Sequence, residues 1–258
     1  FNRLWRLFKN DRNEDEVQIV SLSLQHSIFL TEVLKQEHLA LGYDLSNAVV
    51  IHNGIDLKKF RLDGDKEFPE GQAKLLYVGR VAEKKGVHTA VKAISILKNE
   101  GETPLLSIIG DAEDEEYVSV LKKMAHDLGV GEQVSFQSGV AREKMSTIYR
   151  EHDILIFPSI WEEPFGLVLI EAMASKLPIV STRTGGTQDF LEDEKNALIF
   201  KPANARQLAD HLKRLLSLEK DYSELSKKAF QFAKENFDIE KKVDEVEKHL
   251  ERVIKEVV

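Results

Sequence analysis

A doubly wound parallel α/β sheet, Rossmann-like in its alternation, is the fold class this sequence predicts. Short apolar runs bounded by glycine or proline alternate with amphipathic helical stretches from Lys74 onward, so that strand after strand is separated by helix. Within 153–186 the order strand, loop, helix, strand and glycine turn runs unbroken, which makes a βαβ unit. No G-x-G-x-x-G follows the first strand of the alternation, so an NAD-type dinucleotide site has no support.

In chain order, residues 1–10 place Phe1, Leu4, Trp5 and Phe8 on one helical face, with Arg3, Arg6 and Lys9 beside them. Such a helix lies on a membrane surface or packs on a protein neighbour, and both readings stand. Residues 17–24 read as a strand and 27–36 as a helix opened by a serine cap. A short strand over 48–51 runs into the turn His52-Asn53-Gly54, where His52 can be a ligand contact but, as a lone His beside a turn, reads rather as a surface residue. Asp63-Gly64-Asp65, with Pro69 and Gly71 close behind, reads as a polar turn rather than a metal-holding D-x-D. No other His or carboxylate cluster has ligand spacing, so no metal and no cofactor are expected.

The main sheet opens at 74–78. Gly79 then lets the chain turn close to a ligand, and Arg80, Lys84, Lys85 and Gly86 precede a helix to Leu97. The planar fork of Arg80 can bridge phosphate oxygens and Lys85 can bring a point charge; the plainer reading is of solvated loop charges. A strand over 104–109, an acidic loop 111–116, a helix to Leu128, a strand over 133–136 and a helix over 142–150 follow.

Residues 154–157 are a buried strand closed by Pro158, and Pro178 opens the next. Between them Leu167, Ile170, Ala174 and Leu177 recur at spacings of three and four, a stripe expected to lie on the sheet. Ligands of such sheets bind outside the carboxyl ends of the strands, where the loop 158–165 and Gly185-Gly186 belong. The amides of Gly166, Leu167 and Val168 have no intrahelical partner and make an anion site. Glu163 precedes the helix, and Glu171 lies about 7.5 Å along it from Gly166. The two can border one crevice, or be a capping acid and a solvent-face glutamate. A strand over 196–200, a helix over 204–218 and a charged, mostly helical stretch over 221–258 complete the chain.

Composition narrows the function. A formal net charge of −8 opposes nucleic acid as the principal ligand. Without cysteine there is no disulfide and no thiolate metal site. No apolar run approaches 18 residues and no secretory signal is visible, so a cytoplasmic place is expected, with peripheral association at the inner membrane face resting on residues 1–10.

E-P-F-G-L-V-x-x-E-A-M-A from Glu163, with Glu163 and Glu171 as its E-x7-E, is followed by P-I-V-x-T and Gly185-Gly186 and preceded by N-G-I-D-x-x-x-F (Asn53 to Phe60) and G-R-x-x-x-x-K-G (Gly79 to Gly86). Over roughly 45–215 these blocks resemble the C-terminal, donor-binding half of the retaining GT-B glycosyltransferases of family four, the glycosyl transferases group one. Asp189 departs from the pattern, which has Glu there. The resemblance implies three parts: an N-terminal remnant of the acceptor side over 1–46, a nucleotide-sugar-binding domain over 47–218 and a helical tail over 219–258. It implies a nucleotide diphosphate sugar as substrate, with Arg80 and Lys85 neutralising the diphosphate and Glu163 contacting the transferred hexose. Glu171 is implied to accept from ribose hydroxyls, the amides at Phe165 to Val168 to hold phosphate and sugar, and Val140 and Arg142 to meet the base, with Gly79 close to the donor. The chain opens at Phe1 rather than Met, and the match is confined to the donor half. An acceptor-binding N-terminal domain absent from this chain is therefore expected as partner, and slow or no transfer without it. A non-catalytic nucleotide-sugar sensor and a sugar-nucleotide epimerase on the same fold are the alternatives.

Overall fold

The computed structural model describes residues 24–60, 64 and 66–257. The stretch 1–10, the strand over 17–24 save its last residue, and both acids of the 63–65 turn fall outside the described residues. Six parallel strands form one sheet: β3 (Lys74–Val78), β4 (Leu105–Ile109), β5 (Val134–Gln137), β6 (Ile154–Phe157), β7 (Ile179–Ser181) and β8 (Leu198–Ile199). Their order is β5-β4-β3-β6-β7-β8. The chain therefore builds outward from β3 on one side, then returns to β6 on the other, and the switch point lies between β3 and β6.

Alternation along the strands divides the core in two. Leu75 and Tyr77 face one side, with α3 (Val87–Asn99), α4 (Glu115–Asp127) and α7 (Ala205–Ser217) above them. Leu76 and Leu155 face the other, under α6 (Leu167–Ala174) and α8 (Glu219–Asn236). All four residues of β6 are buried, as the continuous apolar run Ile-Leu-Ile-Phe requires of a strand covered on both faces. α5 (Met145–Glu151) enters β6 after a 3₁₀ turn at Arg142–Lys144.

Ahead of the sheet, β1 (Ile28–Phe29) pairs in parallel with β2 (Val49–Val50), and α1 (Glu32–Ala40) connects them. This corrects the expected serine-capped helix over 27–36. Ile28 and Phe29 are taken into strand pairing, and the helix starts where Thr31 accepts a hydrogen bond from the amide of Leu34. α2 (Leu57–Phe60) follows β2. α9 (Ile239–Val257) turns back onto this N-terminal piece: the His249 ring is 2.8 Å from the carbonyl of His26, and Arg252 donates to that of Asn47. Among the described residues no helix is long and apolar enough to cross a membrane.

Candidate functional site

A cavity of about 460 Å³ opens at the switch point. Gly79 and Arg80 reach it from the end of β3, Lys85 from the 3₁₀ turn before α3, Pro158 and Ser159 from the end of β6. Glu163, Phe165 and Gly166 come from the loop into α6, and Leu167 and Val168 from its first turn. Eight of the sequence-predicted residues thus meet around one space, because the switch point sets the ends of β3 and β6 side by side. Leu167 is corrected in orientation: at 41% exposure it lines the cavity and does not lie on the sheet. The other three members of the expected stripe, Ile170, Ala174 and Leu177, are buried in the core, together with Leu169, Ala172 and Met173.

The cations are not equivalent. Arg80 has a side chain 56% exposed and stands 3.9 Å from Glu113, so its guanidinium is loosely held. Lys84 turns away from the cavity, donating to Glu113 at 2.9 Å and lying 5.5 Å over the ring of Trp161. Lys85 is neither a free cation nor a solvated loop charge: its Nζ donates to both carboxylate oxygens of Glu163, at 2.6 and 2.8 Å. The Glu163 side chain is 6% exposed and that of Lys85 22%, so each desolvated charge depends on the other. Ser159, buried after β6, adds a hydrogen bond from its Oγ to Glu163 Oε1 at 2.5 Å. The charge of Lys85 is offset inside the site by Glu163, so the positive character that the cavity meets is that of Arg80, loosely paired with Glu113, and of the amide end of α6.

Three predicted residues do not line the cavity. Glu171, one turn into α6, is 7% exposed and accepts from the Tyr149 hydroxyl at 2.9 Å. It is no solvent-face glutamate. Burial pushes its carboxyl above the usual range, while the Tyr149 hydrogen bond and the charge of Arg142 pull the other way. Arg142 is exposed on its 3₁₀ turn, and Val140 is half-buried against the core under α6. Among the described residues no group of three or more His, Cys, Asp or Glu side chains could hold a metal ion.

The N-terminal piece closes the site from a third side. Leu30 and Asn53 line the cavity, the Thr31 hydroxyl donates to the carbonyl of Pro164, and Asp189 accepts from the amide of Glu32 at the start of α1. His52 is corrected from surface to support: its Nδ1 lies 2.8 Å from the carbonyl of Leu30, and its ring is 5.7 Å from that of Phe165. Sequence reasoning missed Ser159, Tyr149 and Leu30. Ser159 sits four residues before Glu163 inside the stretch already singled out, and its spacing was the available signal; Tyr149 and Leu30 carried none.

A six-stranded doubly wound sheet, with two cations, a helix N-terminus and two buried carboxylates at or beside its switch point, has the architecture of the C-terminal half of a GT-B glycosyltransferase. Residues 58–232 match the family model for glycosyl transferases group 1, and the chain belongs to that family. It is 28% identical over 202 residues to an uncharacterized glycosyltransferase of Methanocaldococcus jannaschii, covering 74% of this chain and 50% of that one. It is 30% identical over 192 residues to the D-inositol 3-phosphate glycosyltransferase of Corynebacterium urealyticum, covering 68% and 45%. The chain therefore spans about half the length of the curated relatives it matches. In fold it is similar to Anabaena HepE, solved in complex with UDP and glucose, at a TM-score of 0.78 and 20% identity over 87% of this chain and 62% of that one.

Proposed function

We propose that this chain is the donor half of a retaining glycosyltransferase: it binds a nucleotide diphosphate sugar and, with an acceptor-binding domain, transfers the hexosyl group with retention of configuration. The observation that carries the reading is the meeting of Arg80, the Lys85–Glu163 pair and the N-terminus of α6 around one cavity. In this reading Arg80 and the amides at Phe165 to Val168 take the diphosphate. Sugar hydroxyls donate to Glu163, which frees Lys85 to turn to a phosphate oxygen. Glu171 accepts from the ribose, and Val140 and Arg142 meet the base. Cleaving the sugar–phosphate bond leaves negative charge on the departing phosphate, where each fixed donor is worth roughly 3–4 kcal/mol. Arg80 and Lys85 supply that neutralisation without a metal.

A thermal-shift panel of UDP, GDP and ADP sugars tests the reading. At a hundred times its Kd, a donor that binds only the folded chain adds about 2.7 kcal/mol. At this chain length that raises Tm by roughly 5–10 °C. A panel in which no donor moves Tm overturns the proposal. Arg80→Ala is expected to keep stability within about 0.5 kcal/mol, because the side chain is exposed and loosely paired. Calorimetric titration of the same variant should show roughly tenfold weaker diphosphate binding, the size of one charge-assisted hydrogen bond.

A further inference from the structure

The N-G-I-D-x-x-x-F block ends in Phe60, to which the donor-site reading gives no part. Phe60 is buried in α2, and its ring centre lies 6.0 Å from that of Tyr149 on α5. Tyr149 is fully buried, and its hydroxyl donates to Oε2 of Glu171 at 2.9 Å. No described residue donates to Oε1 of that carboxylate. Three side chains from α2, α5 and α6, distant in sequence, thus form one chain of contact that ends on a buried carboxylate with one oxygen committed.

We propose that Tyr149, held in place by Phe60, is the positioning residue for Glu171: it fixes Oε2 inside the protein and leaves Oε1 as the oxygen that accepts from a ribose hydroxyl. The proposal rests on the donor-site reading. Its physical basis is that a buried carboxylate with a loose torsion can turn away from a ligand or take up a proton, and one hydrogen bond from a rigid ring opposes both. Phe60 contributes by packing, since the Tyr149 ring cannot shift without losing that contact. The charged and titratable groups acting on Glu171 are Tyr149 from α5 and Arg142 from the turn before it. The other elements packed around α6 present apolar side chains there: Phe60 from α2, Ala229 and Ala233 from α8, Leu155 and Phe157 from β6, and Ile179 from β7.

Ribose hydroxyls donate to the ionised carboxylate, so nucleotide binding must fall as pH drops through the Glu171 titration. The Tyr149 hydrogen bond holds that titration down. Removing it moves the acid midpoint of binding to higher pH.

The experiment is calorimetric titration of the parent chain, Tyr149→Phe and Phe60→Leu with UDP, GDP and ADP and their 2′,3′-dideoxy counterparts, repeated across acid pH. The parent is expected to favour the ribonucleotide by roughly tenfold, the size of one hydrogen bond to a charged group. Tyr149→Phe should lose most of that preference and raise the acid midpoint, and Phe60→Leu should move both the same way by less. A merely structural tyrosine would lower Tm and leave the ribose preference and the midpoint where they were, and that result overturns the proposal. Should Tyr149→Phe fail to fold, a parental preference in Phe60→Leu overturns it as well. If the parent binds none of the three nucleotides, the donor-site reading falls and takes this proposal with it; if the parent discriminates and both variants do so equally well, the positioning role alone fails.

Discussion

Lys85→Ala is expected to lower stability by about 3 kcal/mol near neutral pH, the low end for removing one partner of a buried ion pair. Glu163 is the reason. Its side chain is 6% exposed, takes both of its close charged contacts from Lys85, and keeps only the Ser159 hydroxyl when that lysine is gone. The low end applies because the lysine side chain retains 22% of its exposure, so water already screens part of the pair. Denaturant unfolding measures the loss as a shift in midpoint. The companion variant Lys85→Ala with Glu163→Gln should regain most of it, because no unpaired charge is then buried. A single variant as stable as the parent would mean that Glu163 escapes to solvent and that the pair is not a unit. Both variants should bind nucleotide diphosphate more weakly, as one cation is missing from each.

The second large effect is expected at Gly86→Ala. Gly86 has φ +68, and a Cβ built on it would stand 2.0 Å from the carbonyl oxygen of Pro158. Left-handed backbone costs a non-glycine residue roughly 1–2 kcal/mol. The clash is with main chain at the end of β6, so it is relieved only by moving the loop that carries Ser159 and Glu163, and overpacking of this kind costs about 1–3 kcal/mol more. The sum, about 2–5 kcal/mol, should appear as a fall in Tm together with loss of diphosphate binding, since Lys85 immediately precedes the glycine. Parental Tm and binding in Gly86→Ala would show that the close approach of α3 to the end of β6 is not required.

Much of the fold was legible because the signals for it are local. The apolar runs at 74–78 and 154–157, Pro158 and the stripe of the helix after Val87 report burial through short unbroken apolar stretches and a period of 3.6, which need no knowledge of the partner strand. Errors fell where tertiary contacts override local preference. Ser27 is a good cap, yet β1 pairing takes the next two residues and Thr31 caps the helix. Leu167 fits an apolar stripe, yet it is the first helical residue and opens onto the cavity. His52 follows the apolar run 48–51 but opens the polar turn with Asn53 and Gly54, a local signal for surface, yet Phe165 and Phe237 close around it.

Sequence alone determined the alternation of strand and helix, the βαβ unit over 153–186, the family and the residue types gathered at the strand ends, since each is written in spacings of a few residues. Only the tertiary structure decided how those residues are engaged: that Lys85 closes on Glu163 78 residues away, that Lys84 goes to Glu113, and that Tyr149 holds Glu171. Such pairings depend on strand order and on which side of β3 the chain returns to. Parallel strands joined by crossovers leave that choice to the packing of the whole sheet, where no local pattern can specify it.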